Sequence, residues 1–262
     1  MTQLAGKVVW ITGASGGIGE ALALDAAARG AKLVLSARRA AQLERVRALC
    51  PDTGKVAVLP LDLLDFDASA AAAQAEKFFG PVDILVNNAG ATQRSLALDT
   101  DMAVYRQLME LNYFASVALT RALLPGMVAR KSGHVVMVSS VAGKFGAPLR
   151  SGYCAAKHAL NGFTEAARAE LWRDGVHFTT ACPGFVKTQI SVNALNASGG
   201  AHGKMDEAQA KGMEPRACAQ KIWNAVAANR EEVLIGMEAQ LVHLKRLSPA
   251  LFSQVIKRAK VT

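Results

Sequence analysis

The chain has 262 residues, of which 51% are hydrophobic and 19% charged, with 22 glycines, 8 prolines and a formal net charge of +9. This balance excludes a disordered polymer, and no uncharged apolar run reaches the roughly 18 residues that a membrane span requires. Residues 239–262 hold Lys245, Arg246, Lys257, Arg258 and Lys260 with no acid, leaving 25 basic and 21 acidic groups upstream, so the charge excess belongs to a tail and not to a nucleic-acid-binding face.

Residues 1–7 carry no signal-peptide core and run straight into a strand pattern, so a cytoplasmic location is expected. Residues 7–12 (KVVWIT) read as a buried strand and 17–29 as a helix, followed by a strand at 32–36 (KLVLS) and a helix at 40–49. Strands at 56–59 and 84–86 flank an alanine-rich helix at 65–79, and one long helix covers 101–129. Then come a strand at 134–139, a helix at 152–173, a strand at 176–182, a helix at 215–228 and a strand at 232–235. The strands are rich in Val, Ile and Leu without a polar face, as strands covered on both sides are. Repeated β–α alternation argues for a parallel sheet between helical layers. The expected fold is one α/β domain over 1–262: a doubly wound, mostly parallel seven-stranded sheet with helices on both faces. No second domain or internal repeat is visible.

The first strand ends in Thr12-Gly13-Ala14-Ser15-Gly16-Gly17-Ile18-Gly19, and a helix follows. Glycines let the chain reverse sharply and let backbone N–H groups approach a pyrophosphate, while the helix N-terminus adds its positive dipole end. Dinucleotide folds that take NAD usually place an acid after the second strand, on the ribose 2′-OH. Here that position reads Ser36-Ala37-Arg38-Arg39. Guanidinium groups suit a 2′-phosphate, which favours NADP(H) over NAD(H); alternatively Arg38 and Arg39 merely begin a solvated helix.

Tyr153 and Lys157, four residues apart, lie on one helix face after a strand ending in Ser139-Ser140. A free phenol has a pKa of about 10, too high for easy proton exchange at neutral pH. A nearby ammonium stabilises the phenolate by ~2–4 kcal/mol at an intermediate dielectric, so the pair is expected to make a usable acid/base.

The turn at 12–19, Asn87-Asn88-Ala89-Gly90, Asn112, Ser140, Tyr153 with Lys157, and Pro183-Gly184 arrive in order, each at a strand end or helix start. In these motifs the chain resembles the short-chain dehydrogenase/reductase family, the compact TGxxxGxG/YxxxK type, over about residues 5–190. The resemblance implies a Rossmann fold and hydride transfer between NADP(H) and a carbonyl or alcohol carbon. It implies Tyr153 as general acid/base, Lys157 as its pKa partner and ribose ligand, and Ser140 as the residue that polarises the substrate oxygen. Asn112 would hold a water in a proton relay. Gly13, Ser15, Gly17, Ile18 and Gly19 would carry the pyrophosphate, and Asp62 with Leu63 the adenine. Asn88, Ala89 and Gly90 would lie beneath the adenine ribose, with Pro183, Gly184, Val186 and Thr188 on the carboxamide side of the nicotinamide. Two departures stand out. Gly16 occupies a position where NADP-linked members often carry a basic residue, so phosphate recognition rests on Arg38 and Arg39. Cys154 follows the tyrosine where Ser or Ala is usual, as an oxidisable thiol or an inert buried sulfur. The alternative function is a non-catalytic NAD(P)-sensing regulator on the same fold.

The four cysteines and five histidines show no metal-site spacing, so reduced thiols and no metal are expected. Residues 191–214, rich in Ala, Gly and Asn, read either as a mobile lid over the substrate or as a surface insertion. The tail, 239–262, reads as two amphipathic helices broken at Ser248-Pro249. Its stripe of Leu241, Leu244, Leu247, Leu251, Phe252, Val255 and Ile256 packs on the protein's own core, on a second subunit, or on an anionic membrane surface. This end loosely resembles the hydroxysteroid dehydrogenase-like branch of the family. The resemblance also implies a homodimer or homotetramer through the helices at 101–129 and 152–173, and a small-molecule carbonyl or alcohol as partner.

Overall fold

In the computed structural model, which describes residues 2–259, seven parallel strands form one sheet in the order β3-β2-β1-β4-β5-β6-β7. They are β1 (Val8–Thr12), β2 (Lys32–Ser36), β3 (Val56–Val58), β4 (Ile84–Asn87), β5 (Gly133–Val138), β6 (Val176–Pro183) and β7 (Glu232–Ile235). Alternate residues along each strand face opposite layers. Val9, Ile11, Leu33, Leu35, Ile84 and Val86 pack with α1 (Gly17–Ala28), α2 (Ala40–Ala48) and α8 (Pro215–Ala227). Val8, Trp10, Val34, Leu85, Val135 and Met137 pack on the other face with α3 (Ala68–Phe79), α5 (Ala115–Ala129) and α6 (Ser151–Leu171). Each fully buried Leu or Ile in these layers contributes about 1.5–3 kcal/mol. Trp10 and Trp223, both nearly inaccessible, satisfy their indole N–H groups on Ser36 Oγ (2.9 Å) and Leu22 O (3.1 Å).

The strands and most helices fall where the periodicity puts them. Helix α3 starts at Ala68, later than expected, because the Asp67 carboxylate accepts the Ala70 amide at 2.8 Å and caps the helix there. The single helix expected over 101–129 is interrupted. It consists of α4 (Met102–Met109), a turn of π-helix over Glu110–Phe114, and α5. Asn112 supplies the cause: its Nδ2 donates to Leu108 O at 2.9 Å and occupies the carbonyl four residues back. A side chain inserted into the ladder displaces the regular bonding pattern.

Residues 191–214 lack an apolar repeat yet are anchored. Ser191 and Ala194 are fully buried, Leu195 bridges to Gln93 and Ala201, and the short helix α7 (Glu207–Ala210) follows a buried Asp206. Polar pairing holds this segment, and apolar periodicity does not report polar pairing. In the tail, α9 (Ala239–Leu247) and α10 (Pro249–Lys257) divide the anticipated stripe. Leu241, Leu244, Phe252 and Ile256 join Val141, Phe145 and Val242 in a small cluster of the chain's own core, with Phe145 and Phe252 ring centroids 5.4 Å apart. Leu247, Leu251 and Val255 remain exposed. Lys260, part of the basic tail, lies outside the described residues. Among the described residues no helix is long and apolar enough to cross a membrane.

Candidate active site

The sheet reverses its winding between β1 and β4, and the loops leaving those strands part to open a crevice at their C-terminal ends. A cavity of about 1180 Å³ lies there. Thr12 fastens its floor: the hydroxyl accepts the Asn88 and Ala89 amides at 3.0 and 3.1 Å, and Asn88 Nδ2 donates to Thr12 O at 2.9 Å. Gly13, Ser15, Gly17 and Ile18 line the cavity, as do Asn88, Ala89 and Gly90. Gly13 (φ +64) and Gly17 (φ +59) adopt the left-handed conformation, and a Cβ at Gly17 would come within 3.0 Å of Thr188 Cγ2. Helix α1 begins at Gly17 without a side-chain cap, so its first-turn amides suit a phosphate. The cradle therefore fits a dinucleotide. Gly19 does not line it: a Cβ there would meet Gly13 O at 2.2 Å, so this glycine lets α1 pack closely on the turn after β1.

Arg38 and Arg39, exposed after β2, form one end of the cavity with Asp62 and the buried Leu63. Asp62 uses Oδ1 to accept the Leu64 amide at 3.1 Å, which shapes the turn. Arg45 also lines this end, unanticipated from sequence; it pairs with Glu20 at 2.6 Å.

At the other end Ser140, Tyr153 and Lys157 meet. Ser140 follows β5; its hydroxyl donates to Pro183 O at 3.2 Å, accepts the Ala142 amide at 3.1 Å and hydrogen-bonds the Tyr153 phenol. The Lys157 Nζ sits 5.8 Å from the Tyr153 ring centroid and donates to Val138 O at 2.8 Å. The electrostatics differ from the expected pairing. Burial raises the Tyr153 pKa above its ordinary value; the Ser140 hydroxyl beside it and the charges of Arg150 and Arg94 oppose that rise. Burial also lowers Lys157 to about 8, so its ammonium is itself disfavoured. Within the protein alone, desolvation is the largest influence on both groups.

Asn112 lines the cavity, but its amide is fully engaged: Nδ2 donates to Ala91 O (3.0 Å) and Leu108 O, while Oδ1 accepts the Ala91 amide (3.2 Å). The side chain therefore braces the 90–91 turn, with both of its N–H donors used. Pro183, Gly184, Val186 and Thr188 line the cavity beyond Ser140. Gln209 from α7 holds this loop by donating to Val186 O and to Thr188 Oγ1 (3.3 Å). Sequence reasoning missed Gln209, Gln93, Arg94, Arg150 and Asp206, and also the wall that Phe145, Leu241 and Ile256 form. No local pattern marks them, because their partners lie far off in the chain. Cys154 is buried, which raises its thiol pKa and makes it inert. His134 and His177, ring centroids 5.7 Å apart, lie at the strand starts away from the cavity. Among the described residues no group of His, Cys, Asp and Glu is arranged to hold a metal.

A sequence profile of the family described as short chain dehydrogenase matches residues 7–198. Across 98% of its length the chain is 43% identical to a dehydrogenase/reductase SDR family protein 7-like from Anopheles gambiae, covering 84% of that protein. It is 41% identical to dehydrogenase/reductase SDR family member 7B from Bos taurus, over 95% of this chain and 80% of that one. A short chain dehydrogenase/reductase from Burkholderia phymatum, solved in complex with NAD, superposes with a TM-score of 0.87 at 27% identity, covering 96% of both chains. The chain belongs to the short-chain dehydrogenase/reductase family of oxidoreductases.

The depressed Lys157 pKa predicts a pH effect on stability. Between about 8 and 10.5 the unfolded chain binds more protons than the folded one, so this group's contribution to stability rises with pH across that window. Urea unfolding of wild type and Lys157→Met should show their difference shifting in favour of wild type over that range. A flat difference would contradict the burial of an ionisable Lys157.

Proposed function

We propose that the protein is an NADP(H)-dependent dehydrogenase/reductase that interconverts a carbonyl and a secondary alcohol, with Tyr153 as general acid/base. The observation that carries this reading is one cavity joining the exposed Arg38 and Arg39 to the hydrogen-bonded Ser140–Tyr153 pair beside Lys157.

The glycine turn and the start of α1 would hold the pyrophosphate, and Arg38 and Arg39 a 2′-phosphate. Among the described residues neither arginine has a carboxylate partner, so both are available to an anion. The Burkholderia relative binds NAD, which supports the nicotinamide class; the two arginines carry the choice of NADP. When bound, the nicotinamide supplies or accepts the hydride. In reduction the Tyr153 phenol donates its proton to the oxygen that gains negative charge, while the Ser140 hydroxyl holds that oxygen by a hydrogen bond. Lys157 would hold the ribose. A phenol pKa raised by burial keeps Tyr153 protonated, the form that carbonyl reduction uses. Phe145, Leu241 and Ile256 give the substrate end an apolar wall, which suits a carbonyl compound with a hydrocarbon portion.

The exposed Leu247, Leu251 and Val255, spaced four apart among Lys245, Arg246, Lys257 and Arg258, form the face we assign to contact with an anionic membrane surface. We assign the α4–α5 face, where Met102 and Phe114 are exposed, to the subunit contact of a homodimer or homotetramer. Co-sedimentation with phosphatidylserine vesicles, lost in Leu251→Glu, tests the first; static light scattering of Phe114→Glu tests the second.

Tyr153→Phe should reduce turnover by about 10²–10⁴-fold and leave cofactor affinity, read by fluorescence titration, nearly unchanged. Retained turnover would remove Tyr153 from the chemistry, and a regulator that only senses the cofactor would show no turnover in wild type either. Arg38→Ala should weaken NADP(H) about 10-fold and NAD(H) little; equal losses would overturn the cofactor assignment.

A further inference from the structure

Three segments remote in sequence meet beside Tyr153 on one buried carboxylate. Arg94, from the loop after β4, donates to Asp206 Oδ2 through Nε (2.8 Å) and Nη2 (2.5 Å). Arg150, immediately before α6, donates to the same oxygen at 3.2 Å. The Arg94 and Asp206 side chains are 2% and 1% exposed. Arg94 spends Nη1 on Thr92 Oγ1 (3.1 Å) and on Gln93 O (2.7 Å), which stiffens the loop that carries it. The same loop pairs with the segment at 191–206: Arg94 N donates to Leu195 O and Leu195 N to Thr92 O, both at 2.8 Å. Its neighbour Gln93 is fully buried, and Gln93 Oε1 accepts the amides of Gly152 (2.7 Å) and Tyr153 (3.2 Å). One glutamine thus caps the helix that carries the phenol.

We propose that Arg94 is a positioning residue for Tyr153: by gripping Asp206 it fastens residues 191–206 to the first turn of α6, where Gln93 sets the register of Tyr153. The inference rests on the reading of Tyr153 as the acid/base. A buried ion pair is in general a weak source of net stability, since apolar residues of similar volume commonly serve as well. What it adds is geometry and charge at the cavity wall, which Arg94 and Arg150 line and Asp206 backs. The groups facing the phenol are Ser140 from the end of β5, Cys154 and Lys157 from its own helix, Arg150 at the helix start, and Arg94, whose partner Asp206 lies behind it. Both guanidinium charges lower the phenol pKa, and burial raises it. Removing Arg94 must therefore raise that pKa.

Two measurements on the full-length protein test this. In hydrogen exchange, Arg94→Gln and Asp206→Asn should each raise exchange together at 191–206 and at 150–154. In carbonyl reduction, the alkaline limb of the pH–rate profile should move up in Arg94→Gln by on the order of half a pH unit. Arg94→Lys keeps the charge and loses the fork, so it should loosen both segments and leave the limb in place. It also serves if Arg94→Gln does not fold. Exchange confined to one segment, or activity lost with an unmoved limb in Arg94→Gln, would overturn the proposal. Exchange does not depend on turnover, so a wild type that reduces no carbonyl would refute the oxidoreductase reading while the coupling of the two segments is still decided.

Discussion

The change of winding direction between β1 and β4 is the constraint on which the site depends. Strands on either side of that boundary send their connections to opposite faces, so the chain cannot close over the C-terminal ends of β1 and β4. The crevice left there exposes backbone that must find partners, and Thr12 and Asn88 provide them across the gap. Once this junction is set, the glycine turn, the arginines after β2 and the Ser140–Tyr153 pair all face one space, because each follows the C-terminal end of a neighbouring strand or opens the helix beyond it.

Within that space two electrostatic effects compete. Burial disfavours both a phenolate at Tyr153 and an ammonium at Lys157, and in the protein alone burial prevails at each. The opposing influences on the phenol come from Ser140 and from two arginines whose shared carboxylate lies outside the cavity lining. The acid/base properties of the tyrosine are therefore spread over several chain segments and do not belong to a tyrosine–lysine pair alone.

Polar side chains also define pieces of structure that hydrophobic pattern leaves blank. Asn112 opens a π turn by taking a helix carbonyl for its own amide. Asp206 and Gln209 fix a segment that has no apolar repeat. The tail encloses the cavity with Leu241 and Ile256, while its outer residues stay exposed. Each case depends on a bond or contact between residues that are near in space through folding.

The sequence by itself determined the layers, the strand sequence and the glycine-rich turn. Those follow from short-range rules: side-chain alternation along a strand, glycine's access to positive φ, the four-residue spacing of Tyr153 and Lys157. The same local reading located Ser140 and the arginines after β2, since each sits next to a strand end. Only the tertiary structure decided that Gly19 packs and does not line the cavity, that Asn112 braces a turn, and that Arg94 and Asp206, 112 positions apart, share a bond beside the phenol. A residue's pKa and its partners depend on what the whole fold removes from water around it, and no window of sequence contains that quantity.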